Sequence, residues 1–295
     1  MKEVLMNSKG ILIIACGHQF YGRMALNLAA SIKAVEPTMP IALRWAGNAL
    51  NHLSLYNLSD LFESVEEIPQ EYYLHQGKYK WIRTKVFMYD LSPFDETVFI
   101  DADTVWIPKR KPSELFKELQ HVDITFANYA RHDLNTVAPG VKVWANIQEV
   151  KEAYHFENGY YYCLQSEMVY FKKNESNMRF FEVAKQVYDN PKVKVADFAG
   201  GIPDEFAFSV AMLMTGIEPH TTPYYPTYWQ PIHKQVKRET LADRHYLLSV
   251  GGAFQSDYIK NLYNAYAGNA FKKLRLETPF KYINKRSWLP ERKSI

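Results

Sequence analysis

The chain has 295 residues, 47% of them hydrophobic and 23% charged, with a formal charge of +3. That is a globular composition, long enough for one large α/β domain or two small ones. It excludes a helical membrane span, since no apolar run approaches the ~20 residues a bilayer requires. It also excludes a disulfide scaffold or zinc module, since Cys16 and Cys163 stand alone. The opening residues Met1 to Gly10 show no basic stretch leading into an apolar segment, so no secretory signal is expected. A reducing, cytoplasmic setting fits the sparse cysteines.

Ile11-Leu12-Ile13-Ile14-Ala15 is a short continuous apolar run, the mark of a strand buried on both faces. Cys16 to Gly22 reads as a loop. Met24, Leu28, Ile32 and Val35 then recur at helical spacing until Pro37 ends the helix. Ile41 to Ala46 reads as a second strand, completing a βαβ unit whose crossover is expected to be right-handed. The first loop would then lie at the carboxyl end of the sheet, where Phe20 or Tyr21 has the chemistry either to stack on a base or to anchor the core. It carries neither a dinucleotide glycine fingerprint nor a phosphate-binding P-loop. Leu55 to Phe62 reads as a short helix and Ser64 to Ile68 as a short strand.

Lys78 to Asp90 is read as one helix, with Trp81, Lys85 and Met88 on one face and Ile82, Val86 and Tyr89 on another. Its cations Lys78, Lys80, Arg83 and Lys85 suit a diphosphate, since Arg can fork onto phosphate oxygens and Lys acts as a point charge. Arg83 and Lys85 are the expected ligand contacts, while Lys78 and Lys80 read as a solvated face.

The next stretch, Thr97-Val98-Phe99-Ile100-Asp101-Ala102-Asp103-Thr104, runs from a buried-strand pattern directly into two carboxylates. Burying them unpartnered would be costly, so they are expected at a cleft where the strand ends. Strand alternation would point Asp101 and Asp103 to one side, onto one hard cation such as Mn²⁺ or Mg²⁺, with small Ala102 leaving room for a ligand. A surface turn is the plain alternative for Asp-x-Asp alone.

Taken together, the strand and Tyr-containing loop from Ile11 to Tyr21, the helix ending in Ser31 to Pro37, the segment around Lys85, and Phe94 to Thr104 resemble GT-A fold glycosyltransferases. The likeness is to the glycogenin and bacterial galactosyltransferase group, family eight, and covers about residues 10–130. It implies an α/β fold with a mixed, mostly parallel, Rossmann-like sheet flanked by helices, in a single main domain over residues 1–270. Residues 10–130 would form the nucleotide-sugar half and residues 131–270 the acceptor half. The implied activity is transfer of a sugar, with retention, from a nucleotide sugar (UDP-sugar favoured) to a hydroxyl. Asp101 and Asp103 would hold Mn²⁺ or Mg²⁺ on the diphosphate, and Lys85 would touch the phosphates or the donor sugar.

The chain departs from the family in two places. Cys16-Gly17-His18-Gln19 replaces the acidic residue often found in the first loop, which leaves the base open. The late metal-binding histidine motif is not intact. His245, in His245 to Gly252, is its nearest approximation and His233 the second.

Further along, Asp123 to Asn128 reads as a strand, and residues 129–160 show no periodicity and are expected to form an acceptor-covering loop. Tyr160 to Phe171 reads as a strand whose end is similar to a family strand, with Glu167 in place of glycine. Gln165 and Ser166 there have the chemistry to meet sugar hydroxyls. Met178 to Tyr188 reads as a structural helix turned inward through Phe181, Ala184 and Val187 or Tyr188. Asp204 and Glu205 open an apolar helix. The helix dipole alone would explain them, but the resemblance makes them the expected catalytic pair, facing donor sugar or acceptor. The Tyr- and Pro-rich stretch Pro219 to Pro231 reads as a loop beside the cleft.

Residues 271–295 carry eight cations against two acids, a charge of +6 that leaves −3 on the rest. Mixed with Phe271, Phe280, Tyr282 and Trp288, this tail suits peripheral contact with an anionic membrane, nucleic-acid phosphates, closure over the nucleotide, or solvent. Glycan, protein, lipid-linked and modified nucleic-acid acceptors all remain open. Two other classes compete: a nucleotidyltransferase, for which further acidic ligands are expected, and a non-catalytic carbohydrate- or nucleic-acid-binding protein of the same fold.

Overall fold

The structure, a computed structural model, describes residues 8–51, 57–198, 200–220, 227–228, 238–251 and 256–276. In chain order it runs β1 (Lys9–Gly17), α1 (Gln19–Val35), β2 (Ile41–Gly47), β3 (Ser64–Glu67), β4 (Leu74–His75) and β5 (Lys78–Tyr79). A 3₁₀ helix (Trp81–Phe87) leads into α2 (Met88–Leu91), β6 (Glu96–Asp101), β7 (Thr104–Trp106), α3 (Pro112–Leu119) and β8 (Ile124–Asp133). Then follow β9 (Lys142–Val143), β10 (Ala145–Asn146), α4 (Ile147–Ala153), β11 (Tyr160–Lys172), α5 (Glu175–Asp189) and α6 (Asp204–Thr215). The last elements are β12 (Thr227–Tyr228), α7 (Arg238–Arg244), β13 (Leu247–Ser249) and α8 (Asp257–Leu274). Six strands hydrogen-bond in the order β3-β2-β1-β6-β11-β8, a mostly parallel central sheet flanked by helices, in which β8 runs antiparallel to β11. The α/β fold read from the sequence is the one observed. No described helix is long and apolar enough to cross a membrane.

Two compact units share the chain. The first comprises Met1–Leu12, Glu67–Phe99 and Leu119–Pro223, and the second Ile13–Glu66, Ile100–Glu118 and Tyr224–Ile295. The boundaries fall inside β1 and β6, so no linker or change of composition marks them in the sequence. This differs from the simple split into consecutive halves near residue 130.

The first unit is built on the long β8–β11 pair, whose register shifts between Cys163 and Leu164 and again between Gln165 and Val169. Against it pack α5 and α6. Phe126, Phe180, Phe181 and Phe208, all buried, meet at centroid separations of 5.0–6.1 Å. Truncating one such ring to Ala costs on the order of 3–5 kcal/mol. The inward set read for α5 is buried as expected, and Asn174 caps that helix by accepting from the Asn177 N–H at 2.8 Å. The span from 129 to 160 is more ordered than its lack of periodicity suggested. It holds the end of β8, the β9–β10 hairpin and α4, elements too short to register as a period.

In the second unit β1 runs into α1 almost without a loop. Gly17 takes φ +81°, and the His18 side chain caps the helix by accepting from the Phe20 N–H at 3.1 Å. What reads as a loop is therefore the first turn of α1. Met24, Leu28 and Ile32 are buried, and α1 packs against α8 and β7. Asn27 Nδ2 donates to Tyr263 Oη at 3.3 Å. Ser31 Oγ donates to the Leu28 carbonyl and accepts from the Trp106 N–H at 2.9 Å. The α8 helix extends to Leu274, so Phe271 is a buried helix residue rather than the start of a tail. Residues 277–295 and the helix start read at Leu55 lie outside the described residues.

One position in the first unit tests the packing directly. A Cβ on Gly10 would sit 2.4–2.6 Å from three atoms of the Phe94 ring. Gly10→Ala is expected to destabilise by about 1–3 kcal/mol, read as a lower denaturation midpoint, and Phe94→Leu in the same chain is expected to recover part of the loss.

Candidate functional site

Each unit carries one acidic pair, built differently. In the second unit β6 ends at Asp101, and Ala102 and Asp103 form a tight turn into β7, closed by Thr104 Oγ1 donating to the Asp101 carbonyl at 2.9 Å. The two carboxylates therefore straddle a turn rather than alternating along a strand. Ala102 is buried, so its small side chain serves packing and does not make room for a ligand. The β7 strand pairs antiparallel with β13, Ser249 opposite Thr104, and the Val250 N–H donates to the Asp103 carbonyl at 2.9 Å. The Asp103 carboxylate lies against Gly251: a Cβ there would stand 3.1 Å from Oδ2 and 3.2 Å from Ser249 Oγ.

This register corrects the third ligand. Asp103 meets Ser249, Val250 and Gly251, whereas His245 precedes β13 and is buried edge-on to Tyr228 at 5.4 Å. Val250 is the residue bonded to Asp103, and five positions of extended chain separate it from His245, roughly 16 Å. Among the described residues no group of three His, Cys, Asp or Glu is arranged to hold a metal. His233 lies outside the described residues. Asp101 and Asp103 are both half-exposed, and oxygen donors of this kind are the type a hard cation takes. Phe20 is buried, so it anchors the core, while Tyr21, edge-on to it at 5.5 Å, is half-exposed in the first turn of α1.

In the first unit the segment read as one helix from Lys78 is a hairpin followed by a 3₁₀ helix, because Gln76 and Gly77 take positive φ and turn β4 back onto β5. Arg83, expected on phosphate, is 7% exposed. It forks onto Asp189 with both contacts at 2.7 Å, and its remaining nitrogen donates to the Glu71 carbonyl. Its guanidinium is committed to holding the 3₁₀ helix on α5, so Arg83 is a structural residue. Lys85 points elsewhere: its Nζ lies 3.6 Å from Asp204 Oδ2 and 3.4 Å from Ser166 Oγ. The 3.6 Å contact is an ion pair too long for a hydrogen bond, and Asp204 Oδ2 accepts no hydrogen bond although the residue is 4% exposed. Gln165 is 1% exposed with neither amide atom bonded, so it offers no surface to a sugar.

The helix-dipole account does not suffice for Glu205. Its carboxylate accepts from two groups outside its own helix, the Ser166 N–H at 3.2 Å and the Trp144 indole N–H at 2.8 Å. Burial, and secondarily the Asp204 charge, push its pKa from 4.5 up to about 7, against the opposing pull of Lys85 and those two hydrogen bonds. Trp144 was not foreseen. It forms the apex between β9 and β10 at φ +61°, a left-handed conformation disfavoured for a bulky residue and held here by the Glu205 bond and the Ala196 N–H donated to its carbonyl at 2.7 Å. Nothing in an aperiodic stretch with a lone Trp signals this.

Because the folded chain holds the Glu205 proton more tightly than the unfolded chain, its contribution to stability is full below pH 4.5 and is lost as pH rises to about 7. Glu205→Gln is therefore expected to gain stability relative to the parent as pH climbs through that window, read by denaturant midpoints from pH 4.5 to 8. Trp144→Phe removes one bond to the carboxylate and is expected to move the upper edge of the window to higher pH.

No protein-family model matches the chain, and no curated protein matches it by sequence. Solved structures do. The apo structure of the bifunctional glycosyltransferase WbbM aligns with 93% of this chain at a TM-score of 0.59 and 14% identity. This chain spans about half of WbbM, 52% of its length. The galactosyltransferase LgtC, solved with donor and acceptor sugar analogues, aligns with 94% of the chain at a TM-score of 0.49 and 11% identity, covering 100% of LgtC. Mouse xyloside xylosyltransferase 1 aligns with 82% at 0.46 and 12%, covering 97% of that protein. At such identities the likeness to WbbM speaks for architecture alone, and the architecture is the GT-A glycosyltransferase fold.

Proposed function

We propose that this chain is a metal-dependent glycosyltransferase that moves a sugar from a nucleotide sugar, with UDP-sugars favoured, to an acceptor hydroxyl. The observation that carries the reading is the Lys85–Asp204–Glu205 cluster of the first unit: a buried carboxylate beside a half-buried one, with a lysine against the first and donors from two other elements on the second. Burying such a pair is costly, and chains keep it where its chemistry is used. On the GT-A fold, departure of a nucleoside diphosphate from a sugar is the reaction that needs a carboxylate at the electron-poor carbon and cations at the oxygens.

Asp101 and Asp103 would hold the Mn²⁺ or Mg²⁺, which when bound neutralises the departing diphosphate. Asp204, ion-paired with Lys85 through Oδ2, orients the lysine. Glu205 is held in place by Ser166 and Trp144; with its pKa pushed up to about 7 it is only partly ionised at neutral pH, and its ionised form would stabilise positive charge developing at the sugar carbon. Tyr21, half-exposed in the first turn of α1, would stack on the base. Retention, a cytoplasmic setting and contact of the basic tail with an anionic membrane belong to the same reading and rest on the sequence.

The test is a thermal-shift screen of UDP-, GDP-, ADP- and CMP-sugars with and without Mn²⁺, followed by donor hydrolysis. One nucleotide sugar is expected to raise the melting temperature only with metal, by mass action on the folded state. Asp103→Ala should abolish that shift. Glu205→Gln should keep it while lowering the hydrolysis rate by roughly 10²-fold or more. No shift with any donor would overturn the reading.

A further inference from the structure

The first unit exposes aromatic rings in an order that the donor chemistry does not use. At the β4–β5 hairpin Tyr73, Tyr79 and Trp81 form a three-ring cluster with centroid separations of 4.9, 5.2 and 6.1 Å, the plane of Trp81 lying within 1° of that of Tyr79. Tyr73 is buried, so the cluster is rooted in the core, while Tyr79 is 61% exposed. Lys80, next in the chain, donates from Nζ to the Gly200 carbonyl and so ties the hairpin to the turn that brings Phe198 and Gly201 together by paired backbone hydrogen bonds. That turn is close-fitting: a Cβ on Gly201 would meet Tyr188 Oη at 3.1 Å and Lys80 Cδ at 3.7 Å. Phe198 on this turn is 46% exposed and stands edge-on to Trp144 at 5.5 Å. Trp144 in turn donates to Glu205. A chain of direct contacts therefore leads from an exposed tyrosine face to the buried carboxylate.

Large apolar rings held rigid in solvent forgo the burial energy that would otherwise hide them, and mark binding surfaces more often than random exposure does. The ring faces carry negative quadrupole charge and suit the weakly positive C–H face of a pyranose, whose hydroxyls stay in water at the rim. Two exposed rings, Tyr79 and Phe198, joined by the Lys80–Gly200 link, provide two such faces. Proximity of the second to Trp144 sets the direction toward Glu205.

We propose that this path is the acceptor subsite, and that the acceptor is a neutral oligosaccharide of at least two sugar units laid along Phe198 and Tyr79 with its receiving end toward Trp144 and Glu205. The assignment rests on the glycosyltransferase reading and adds to it the class of acceptor.

The experiment is saturation-transfer difference NMR on the full chain with three probes: maltotetraose, tetraacetylchitotetraose and lacto-N-neotetraose. Parent, Tyr79→Ser and Phe198→Ser proteins are compared, both substitutions being at exposed positions where melting temperatures should stay unchanged. At least one tetrasaccharide is expected to bind the parent, with transfer strongest at C–H protons of one ring face. Each substitution is expected to weaken it about tenfold, the scale of one lost aromatic contact. Binding of none of the three, or equal binding by all three proteins, overturns the assignment. Donor hydrolysis by the parent is measured in parallel. Hydrolysis without tetrasaccharide binding defeats the acceptor path and leaves the transferase reading standing. Ring-dependent binding without hydrolysis of any donor keeps a carbohydrate site and defeats the transferase reading.

Discussion

The carboxylate pair at the start of α6, Asp204 buried and Glu205 half-buried, sets the terms for much of the first unit. An ion moved from water into a protein interior loses several kcal/mol of solvation even after relaxation, and a second like charge beside it raises the cost. The offset comes from three elements at once. The 3₁₀ helix brings Lys85 to Asp204, β11 supplies the Ser166 N–H, and the β9–β10 apex supplies the Trp144 indole. Each donor is fixed in its turn. The Arg83–Asp189 fork clamps the 3₁₀ helix to α5, and Ser166 falls within the second shift in register along β11, between Gln165 and Val169. Trp144 accepts a disfavoured backbone conformation to stay in place. Removing any one support leaves a charge buried without its partner, so the parts hold as a set.

The two acidic pairs of the chain illustrate how differently carboxylates can be placed. Asp101 and Asp103 sit on a tight turn, partly in water. Asp204 and Glu205 sit at a helix start whose N-cap is Pro203, without a side-chain cap, and Glu205 spends its oxygens on other elements.

The central sheet was readable because its strands are buried runs, Ile11 to Ala15 and Val98 to Ile100, and because α1 keeps an uninterrupted helical period closed by Pro37. The acidic pairs were readable because acids adjoining apolar runs are chemically conspicuous. What escaped was set by contacts distant in the chain. Arg83 reads as a free cation until Asp189 is seen beside it, 106 positions later. The hairpin at Gln76-Gly77 lacks the Asn-Gly or Asp-Gly signature and was absorbed into an apparent helix. His245 looked like a ligand by its neighbours in sequence, and only the pairing of β13 with β7 shows that Gly251, not His245, lies beside Asp103. Trp144 acts through a position and a backbone angle, neither of which leaves a mark on composition.

The interleaving of the two units bears on how the chain acquires its structure. Neither unit is a continuous stretch, and β1 and β6 each belong to both. Asn27 in α1 finds its partner Tyr263 in α8 only 236 positions later. Folding rates fall as contacts span more of the sequence, because loop entropy is lost before any contact compensates it. Domains that finish early in synthesis can fold on the ribosome in turn, but here α1 waits for α8, whose Tyr263 lies 236 positions after Asn27. Until α8 has been made, the face of α1 that it covers lacks that partner.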